Sequence, residues 1–380
     1  MNIVLLARSL GLGGAERQLA IMAREMSRRH RVTVMTFYGS EADHFTQAEL
    51  GDARLLHLGK RGRWDLLPFA TRFVRQLRQI RPDVVYAFMG PPSIVALLSR
   101  LGCRGTRVVW GVRSSNVDLS HYGLLARLVR RAECRLSRFA DLIISNSVAG
   151  RDQAASEGFD TRRMTVIGNA IDTTVFHRRP ASRDELRRTL GLAAETPLVG
   201  IVARMDPMKG HEVFLHAAAT LSAERPDVHF VIGGHGPADR VERLRQLAAR
   251  LGLDGRMHWL GRVDDVVHVY SALDLCTSSS VFGEGFSNSV GEAMACETPC
   301  VVTDVGDSAR IVGDTGRAVP ANDPDRLARC WAELLALPPA DLRALGARAR
   351  HRVVSQFGLS NLIDRTEAAL ADLGLPCASP

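Results

Sequence analysis

The chain has 380 residues, of which 46% are hydrophobic and 24% charged, and its formal net charge is +8. This length exceeds what one hydrophobic core usually fills and favours two linked α/β domains. No apolar run approaches the ~20 residues that cross a bilayer, which excludes an integral membrane protein. Because the first residues lack a basic leader, we expect a cytoplasmic location.

Charge is unevenly placed along the chain. Residues 1–170 hold 26 Arg and Lys against 14 Asp and Glu, a difference of +12, whereas residues 171–380 hold 23 against 27, a difference of −4. The basic half therefore favours an anionic partner or surface. Only two of the 49 basic residues are lysines, Lys60 and Lys209, so each lysine is a candidate for a specific role.

Short apolar runs alternate with helical patterns along the chain, which predicts βαβ units and parallel sheets. The strands predicted in the first half are residues 2–7, 31–37, 53–58, 83–88, 107–112, 141–145 and 164–168. Those predicted in the second half are residues 198–203, 228–233, 257–260, 273–277, 300–304 and 317–320. A polar segment at 169–180 separates the two halves.

Three parts follow from this pattern. We expect an N-terminal domain at 1–170, a second domain of the same class at 171–355, and a C-terminal helix at 356–380 that packs across the domain junction. In open parallel sheets, ligands bind beyond the carboxyl ends of the strands. The loops that follow the strands, in a cleft between the two domains, are therefore where chemistry is expected.

The first such loop is glycine-rich and reads S-L-G-L-G-G-A-E-R at 9–17. Its glycines would let an anion approach backbone amides at a helix N-terminus, although a plain tight turn is the alternative. The spacing is not G-x-G-x-x-G and no acidic residue ends the second strand, which disfavours a nicotinamide dinucleotide.

A second candidate loop reads V-A-R-M-D-P-M-K-G-H-E at 202–212 and enters a helix near Lys209. Arg204 and Lys209 could converge on a pair of phosphates, the first as a planar fork and the second as a compact charge. The alternative is a solvated lysine at a helix start. The glycine turn at 231–237 suits close packing against a nucleotide.

The third candidate loop, E-G-F-S-N-S-V-G-E at 284–292, carries two glutamates. Ser289 and Glu292 fit a capping box, which would make Glu292 structural. The exposed amides of 286–289 before a helix also suit a diphosphate, with Glu292 then accepting from ribose hydroxyls. A hydrolase acid and base pair formed by Glu284 and Glu292 is compatible with the spacing but not specified by it.

Neither the cysteines nor the acidic residues suggest a metal site. Seven scattered cysteines without C-x-x-C spacing are typical of reduced, mostly buried thiols. Cys296 and Cys300 are separated by Pro299 and lack a histidine partner. The D-x-D at 323–325 is interpreted as a helix cap.

Two helical stretches of the basic half, 67–81 and 124–139, carry arginines on one face. Their apolar residues recur at core spacing, so an ordinary core helix with a solvated cationic face is one interpretation. The other is a patch that holds the protein against anionic lipid. No nucleic-acid recognition motif accompanies these arginines.

Taken together, the motifs resemble the E-x7-E signature of the family 4 retaining glycosyltransferases, which have the GT-B fold. The resemblance covers most of the chain and is carried, in family order, by G-G-A-E-R (13–17), N-A-I-D (169–172), R-M-D-P-M-K-G (204–210), G-G-H-G-P (233–237), L-G-R-V-D-D-V (260–266) and the run from Glu284. The family usually has N-G-I-D where this chain has N-A-I-D. The resemblance implies two Rossmann-like doubly wound domains and a nucleotide-sugar donor.

The resemblance also implies roles for individual residues. Arg204 and Lys209 would neutralise the donor diphosphate, and Glu284 would act nearest the transferred sugar. Arg113 stands about where many members have a histidine, which leaves the partner of the sugar hydroxyls open. The implied donor-binding residues are Gly13, Gly14, Gly234, Arg262, Val263, Phe286, Ser287, Asn288 and Glu292.

The activity implied is metal-independent, cofactor-free transfer of a sugar from a nucleotide diphosphate to a sugar or lipid-linked acceptor, in surface polysaccharide or glycolipid synthesis. The acceptor would attack on the face that the diphosphate leaves. A nucleotide-sugar epimerase, a phosphorylase and a non-catalytic sugar-nucleotide sensor are the alternatives. The sequence does not reveal the sugar, the base or the acceptor.

Overall fold

The computed structural model describes residues 1–11, 13–39, 45–62, 64–88, 90–113 and 124–375, except for the side chains of 124–126. The predictions that involve Leu12, Ser114 to Asn116 and Cys377 lie outside the described residues. The chain forms two compact units, one of Met1–Ala170 with Leu359–Pro380 and one of Ile171–Gly358.

The described part of the first unit contains a parallel sheet with the strand order β3-β2-β1-β4-β5-β6-β7. The strands are β1 (Asn2–Ala7), β2 (Arg31–Thr36), β3 (Arg54–His57), β4 (Val84–Phe88), β5 (Arg107–Val112), β6 (Leu142–Ser145) and β7 (Met164–Val166). The helices between them are α1 (Gly14–Ser27), α2 (Leu67–Ile80), α3 (Pro91–Ala96), α4 (Ser99–Gly102), α5 (Leu124–Leu136) and α6 (Val148–Ser156).

The second unit contains a parallel sheet with the order β10-β9-β8-β11-β12-β13. The strands are β8 (Leu198–Val202), β9 (His229–Gly233), β10 (Met257–Gly261), β11 (Leu275–Ser278), β12 (Cys300–Thr303) and β13 (Arg317–Val319). The helices are α7 (Pro180–Thr189), α8 (His211–Glu224), α9 (Ala238–Arg250), α10 (Val266–Ala272), α11 (Asn288–Ala295), α12 (Ser308–Val312), α13 (Pro324–Leu335) and α14 (Pro339–Phe357).

Side chains along each strand alternate between the two faces of its sheet, and a hydrophobic cluster covers each face. On β1, Ile3 and Leu5 belong to one hydrophobic cluster, and Val4 and Leu6 belong to the cluster on the other face. The second sheet likewise separates two clusters. Each predicted strand is present, and its ends differ from the prediction by at most two residues. The predicted fold class, two doubly wound parallel sheets, is therefore confirmed.

The chain returns to the first unit with α15 (Leu359–Ala371), which packs against α1. Leu362, Ile363 and Leu370 join the core of the first unit. Arg29 on the surface donates to Asp364 at 3.0 Å and to Glu367 at 2.9 Å. The helix predicted within 356–380 is thus present as α15, while its packing across the domain junction stays a prediction.

None of the helices in the described part of the chain combines the length and apolar character that a bilayer crossing requires. The cysteines among the described residues are all free, and Cys276, Cys296 and Cys300 are buried. Burial raises the pKa of the Cys296 thiol to about 12. Within the same ranges, no three His, Cys, Asp or Glu side chains come together as a metal site.

Candidate active site

The second sheet reverses its strand order between β8 and β11. From β8, β9 and β10 continue on one side, and β11, β12 and β13 continue on the other. The loops that leave the two strands at such a reversal diverge and open a crevice at the carboxyl edge of the sheet. These loops are residues 203–210 and 279–287, which overlap two of the three candidate loops found in the sequence, 202–212 and 284–292.

The loop after β8 is built around a turn that ends in glycine. Asp206 caps a short 3₁₀ turn, Pro207–Lys209, by accepting from the Met208 N–H at 3.0 Å. Gly210 then takes the left-handed conformation at φ 62°, and α8 begins at His211, two residues after Lys209, near which the helix was predicted to start. The Ser279 hydroxyl donates to the Lys209 carbonyl at 3.0 Å, which fixes this loop against the end of β11.

Lys209, which is half-buried, and Glu284, which is buried, form an ion pair between the two loops. The Lys209 ammonium donates to Glu284 Oε1, and the Ser280 hydroxyl donates to the same oxygen at 2.7 Å. Glu284 is only 5% exposed. The lysine is therefore not the solvated helix-start residue of the alternative interpretation, because its charge is committed to a carboxylate inside the crevice.

The capping box predicted at Ser289 and Glu292 is wrong. The helix α11 begins at Asn288 with Ser287 as its N-cap, two residues earlier than the box requires, so Glu292 lies beyond the first turn. Glu292 instead accepts from the Tyr270 hydroxyl at 3.4 Å and is 5% exposed. The cap predicted at Asp323 is confirmed, since its side chain accepts from the Arg326 N–H at 2.9 Å.

The segment before α11 is packed into the core. Phe286 is buried, and its ring lies edge-on to Phe357 with the centroids 5.3 Å apart. The Asp307 N–H donates to the Gly285 carbonyl at 2.9 Å, and Gly306 at φ 64° leaves room for this contact. The side chain of Phe286 is thus structural, which leaves the backbone around it as the part able to face a ligand.

Arg204 leaves β8 as an exposed side chain. No hydrogen bond or ion pair of its guanidinium occurs within the described ranges. The backbone beside it is held by Met205, whose N–H donates to the His235 carbonyl at 2.8 Å. Gly234 makes this approach possible, because a Cβ there would lie 1.8 Å from the Ala203 carbonyl oxygen.

Arg262 and Val263, the residues predicted to flank a base, follow β10. Arg262 is exposed and pairs with Asp264 at 3.0 Å. Val263 is half-buried and packs so close to Gly233 that a Cβ there would lie 3.0 Å from its methyl group. Both residues therefore lie at the carboxyl edge of the second sheet, beyond the neighbouring strands β9 and β10.

In the first unit, the glycine-rich loop ends at Gly13, the N-cap of α1. Gly14 is the first residue of the helix. One turn further, Gln18 donates to the Ala170 carbonyl at 2.8 Å and accepts from the Ala170 N–H at 2.9 Å. The amide side chain thus fixes the backbone of Ala170 in the N-A-I-D segment, a contact that the glycine motif alone does not indicate.

Arg113 follows β5 and is 8% exposed. Its guanidinium donates to the Tyr86 hydroxyl at 2.7 Å and to Asn169 Oδ1 at 3.2 Å, and it lies 4.6 Å from the centroid of the Phe88 ring. Among the described residues, Arg113 has no carboxylate partner, and its buried Nε–H is unpaired. A buried cation in this state favours an anionic or hydroxyl-rich ligand.

His211, the first residue of α8, was not among the predicted site residues. It is fully buried, and neither ring nitrogen has a hydrogen-bond partner in the described structure. Burial, and next the charge of Arg240, lower the pKa of His211 to about 4. Its place at a helix N-terminus further disfavours the cation, so the ring next to Lys209 stays neutral at neutral pH.

The neutral His211 predicts a stability that falls in acid. As the pH drops below 6.5, the unfolded chain binds a proton that the folded chain refuses until about pH 4. Between pH 7.5 and 5.0 this removes about 2 kcal/mol from the free energy of unfolding. We expect His211→Leu to show a smaller loss in thermal unfolding over the same range, and equal losses in both proteins would contradict the assignment.

Comparisons with known proteins agree with this geometry. Residues 12–175 match the model described as Glycosyltransferase Family 4, and residues 196–336 match the one described as Glycosyl transferases group 1. The lipopolysaccharide core biosynthesis mannosyltransferase LpcC of Rhizobium leguminosarum bv. viciae is 30% identical over 74% of this chain and 86% of its own length. The chain belongs to glycosyltransferase family 4.

Other family members are similar over shorter stretches. A D-inositol 3-phosphate glycosyltransferase of Rhodococcus opacus is 34% identical over 56% of this chain and 49% of its own length. The chain thus spans about half the length of several curated relatives that it matches. The predicted GT-B fold is supported by solved structures: Anabaena Alr3699/HepE in complex with UDP has a TM-score of 0.85 at 23% identity, covering 98% of this chain and 100% of that chain.

Proposed function

We propose that the chain transfers a sugar, with retention of configuration, from a nucleotide-diphosphate sugar to a glycan or lipid-linked acceptor in surface polysaccharide or glycolipid synthesis. Family membership supports the reaction class. The related LpcC is named as a lipopolysaccharide core mannosyltransferase, and HepE structures contain UDP or UDP-glucose. The observation that carries the proposal is the partly buried Lys209–Glu284 pair at the strand reversal of the second sheet.

Lys209 and Arg204 would hold the donor diphosphate. The exposed guanidinium of Arg204, which has no partner in the described ranges, is available to bind two phosphate oxygens. Lys209 is a compact charge held in place by Glu284 and the Gly210 turn. The amides at the start of α11 add to this positive field. Charge on the departing diphosphate is then neutralised by preorganised groups of the protein, without a metal ion.

The rest of the donor would extend along the same edge. Glu292, held by Tyr270, is proposed to accept from the ribose hydroxyls. Arg262 and Val263 would flank the base, and the Gly234 turn would let the nucleotide approach the backbone. Ser287 and Asn288 would contribute through the helix start, and Phe286 through its backbone, since its ring is occupied in the core.

In the first unit, Arg113 is proposed to bind the donor sugar or its phosphate in place of the histidine common in the family. Its unpaired Nε–H and the absence of a carboxylate partner among the described residues support this role. Burial raises the pKa of Tyr86, so its hydroxyl stays protonated beside Arg113. Gly13 and Gly14, at the start of α1, are proposed as further donor-binding residues.

The reaction would proceed on one face of the sugar. The bond between the anomeric carbon and the diphosphate oxygen breaks, the acceptor oxygen bonds to that carbon on the same side, and the acceptor proton passes to the leaving phosphate. Lys209 and Arg204 stabilise the negative charge that develops on this phosphate. Glu284 keeps the Lys209 ammonium oriented during the step.

A donor screen with a matched variant tests this function. We expect one class among UDP, GDP and ADP sugars to raise the unfolding temperature by mass action, and transfer to lysate-derived acceptors to follow. Glu284→Gln keeps the bond from Ser280 but removes the charge that orients Lys209, so transfer should fall about 10- to 100-fold while the donor still binds.

The other outcomes of this screen assign a different function. Conversion of the donor without an acceptor would indicate an epimerase. Donor binding without any transfer would indicate a sensor. A bound pyridoxal chromophore would indicate a phosphorylase, and full transfer activity in Glu284→Gln would remove Glu284 from the mechanism.

A peripheral contact with anionic membrane is proposed for the first unit. The apolar face of α2 is buried through Phe69, Phe73 and Leu77, so the helix itself is a core helix. The start of this helix and the segment before it, however, expose Leu67 by 82% and Trp64 by 81%, a few residues after Lys60 in the chain. Exposed Trp and Leu beside basic residues are typical of an interfacial anchor.

Vesicle co-sedimentation tests this contact. The chain should pellet with phosphatidylglycerol vesicles more than with phosphatidylcholine vesicles. The double variant Trp64→Ser/Leu67→Ser should lose this preference, whereas Leu101→Ser, exposed by 73% elsewhere in the same unit, should keep it. Equal pelleting with both lipids would refute the proposal.

A further inference from the structure

A cavity of about 610 Å³ lies at the amino edge of the first sheet, where β4 and β5 begin. Its lining comes from the C-terminal end of α2 and from the turn that joins α4 to β5. The lining residues are Arg78, Arg81, Pro82, Asp83, Gly102, Cys103, Arg104, Gly105 and Thr106. Neither the family motifs nor the proposed function uses any of them.

Three exposed arginines give this cavity its character. In the described structure, the guanidinium groups of Arg78, Arg81 and Arg104 have no hydrogen bond or ion pair with the protein. The one acidic residue of the lining, Asp83, already accepts from the Asn2 N–H at 2.7 Å. Three arginines against one aspartate leave the lining with a net charge of +2, and the planar fork of arginine suits phosphate oxygens.

Arg81 has a second unusual property. Its backbone is left-handed, at φ 51° and ψ 61°, at the position after α2 where glycine is the favoured residue. An arginine there is less stable than glycine, because its Cβ is crowded in this conformation. The negative end of the α2 dipole favours a cation at this position, and an anion in the cavity would favour it further.

The cavity is separate from the proposed donor site. Arg113 follows the carboxyl end of β5 and Thr106 precedes its amino end, so roughly 20 Å of extended chain lies between them. The exposed Trp64 and Leu67 lie at the opposite end of α2, a helix of 14 residues and therefore about 21 Å long. A membrane bound through Trp64 would not place its headgroups in this cavity, which favours a free ligand.

We propose that this cavity is a second binding site, for a phosphate-bearing soluble ligand such as a diphosphate or a phosphorylated sugar, held by Arg78, Arg81 and Arg104. A volume of this size accommodates more than one phosphate group together with a small polar body. The site is independent of the transferase reaction proposed above, so the failure of one does not decide the other.

Cys103 provides a local probe of this site. It is half-buried, lines the cavity, and donates its thiol to the Leu77 carbonyl at 3.3 Å. Its alkylation by N-ethylmaleimide can be followed peptide by peptide in the full chain, with inorganic pyrophosphate as the ligand. Cys330, half-buried in the second unit, serves as the internal reference.

We expect pyrophosphate at low salt to slow alkylation of Cys103 at least about threefold without affecting Cys330, since occupancy shields the thiol by mass action. Arg81→Gly should abolish the protection while keeping or raising the unfolding temperature, because glycine suits the left-handed backbone. Arg104→Gln should weaken the protection. Arg75→Gln replaces an arginine of α2 that does not line the cavity, and this variant should retain the protection.

Two results would overturn the proposal. Absence of protection by pyrophosphate and by phosphatidylglycerol vesicles would mean that the cavity binds no phosphate. Undiminished protection in Arg81→Gly and Arg104→Gln would mean that pyrophosphate acts elsewhere. Protection by vesicles alone would refute the free ligand and assign the same arginines to a lipid phosphate.

Discussion

Lys209→Ala is expected to lower kcat/KM for sugar transfer by about 10²- to 10³-fold, the loss typical when a preorganised group that stabilises developing charge is removed. The variant should also be less stable. Without the ammonium, Glu284 is left as a buried carboxylate whose one remaining partner among the described residues is the Ser280 hydroxyl, which costs about 3 kcal/mol or more. Steady-state kinetics and thermal unfolding measure the two effects.

The chain supplies its own control for this experiment, because Lys60 is its only other lysine. Lys60→Ala makes the same change in the first unit and should leave transfer nearly unchanged. The double variant Lys209→Ala/Glu284→Gln should regain stability, since no buried charge remains unpaired, but it should not regain activity. Full activity of Lys209→Ala would show that the lysine does not hold the diphosphate.

Gly210→Ala is expected to destabilise the second unit by about 3 to 4 kcal/mol and to reduce transfer with it. The backbone at Gly210 has φ 62°, and a Cβ there would lie 2.0 Å from the Ser279 carbonyl oxygen. The main chain must therefore shift, and Lys209, the preceding residue, moves with it. We expect the unfolding temperature to fall by roughly 10 °C.

Gly191→Ala separates backbone strain from the clash. Gly191 has a similar φ of 69°, but no atom lies within 4 Å of where its Cβ would be. This variant should lose only about 1 kcal/mol and should keep its activity. If both variants were destabilised equally, the contact between Gly210 and Ser279 would have no special role.

Much of the architecture was accessible from the sequence because its signals are local. Strands buried on both faces appear as short apolar runs, so each predicted strand is present with small differences at its ends. Lys209 in the 202–212 loop is a clear candidate from the sequence because it is one of only two lysines. Asp323 was identified as a cap because the cap and its helix lie within four residues.

The remaining features depend on contacts between distant segments. The pairing of Lys209 with Glu284 requires β8 and β11 to be neighbours although β9 and β10 lie between them in the chain. The capping box failed because two serines two residues apart both suit a helix start, and packing of Phe286 in the core accompanies the earlier one. The arginine cavity joins the ends of α2 and α4, which no motif connects.

The return of α15 to the first unit has a consequence for synthesis on the ribosome. The core of that unit includes Leu362, Ile363 and Leu370, which are translated only after all of Ile171–Gly358. At typical bacterial and eukaryotic elongation rates, this delay is on the order of 10 to 40 s. During that time the nascent first unit exposes the side of α1 that α15 later covers, so the second unit can complete its core before the first.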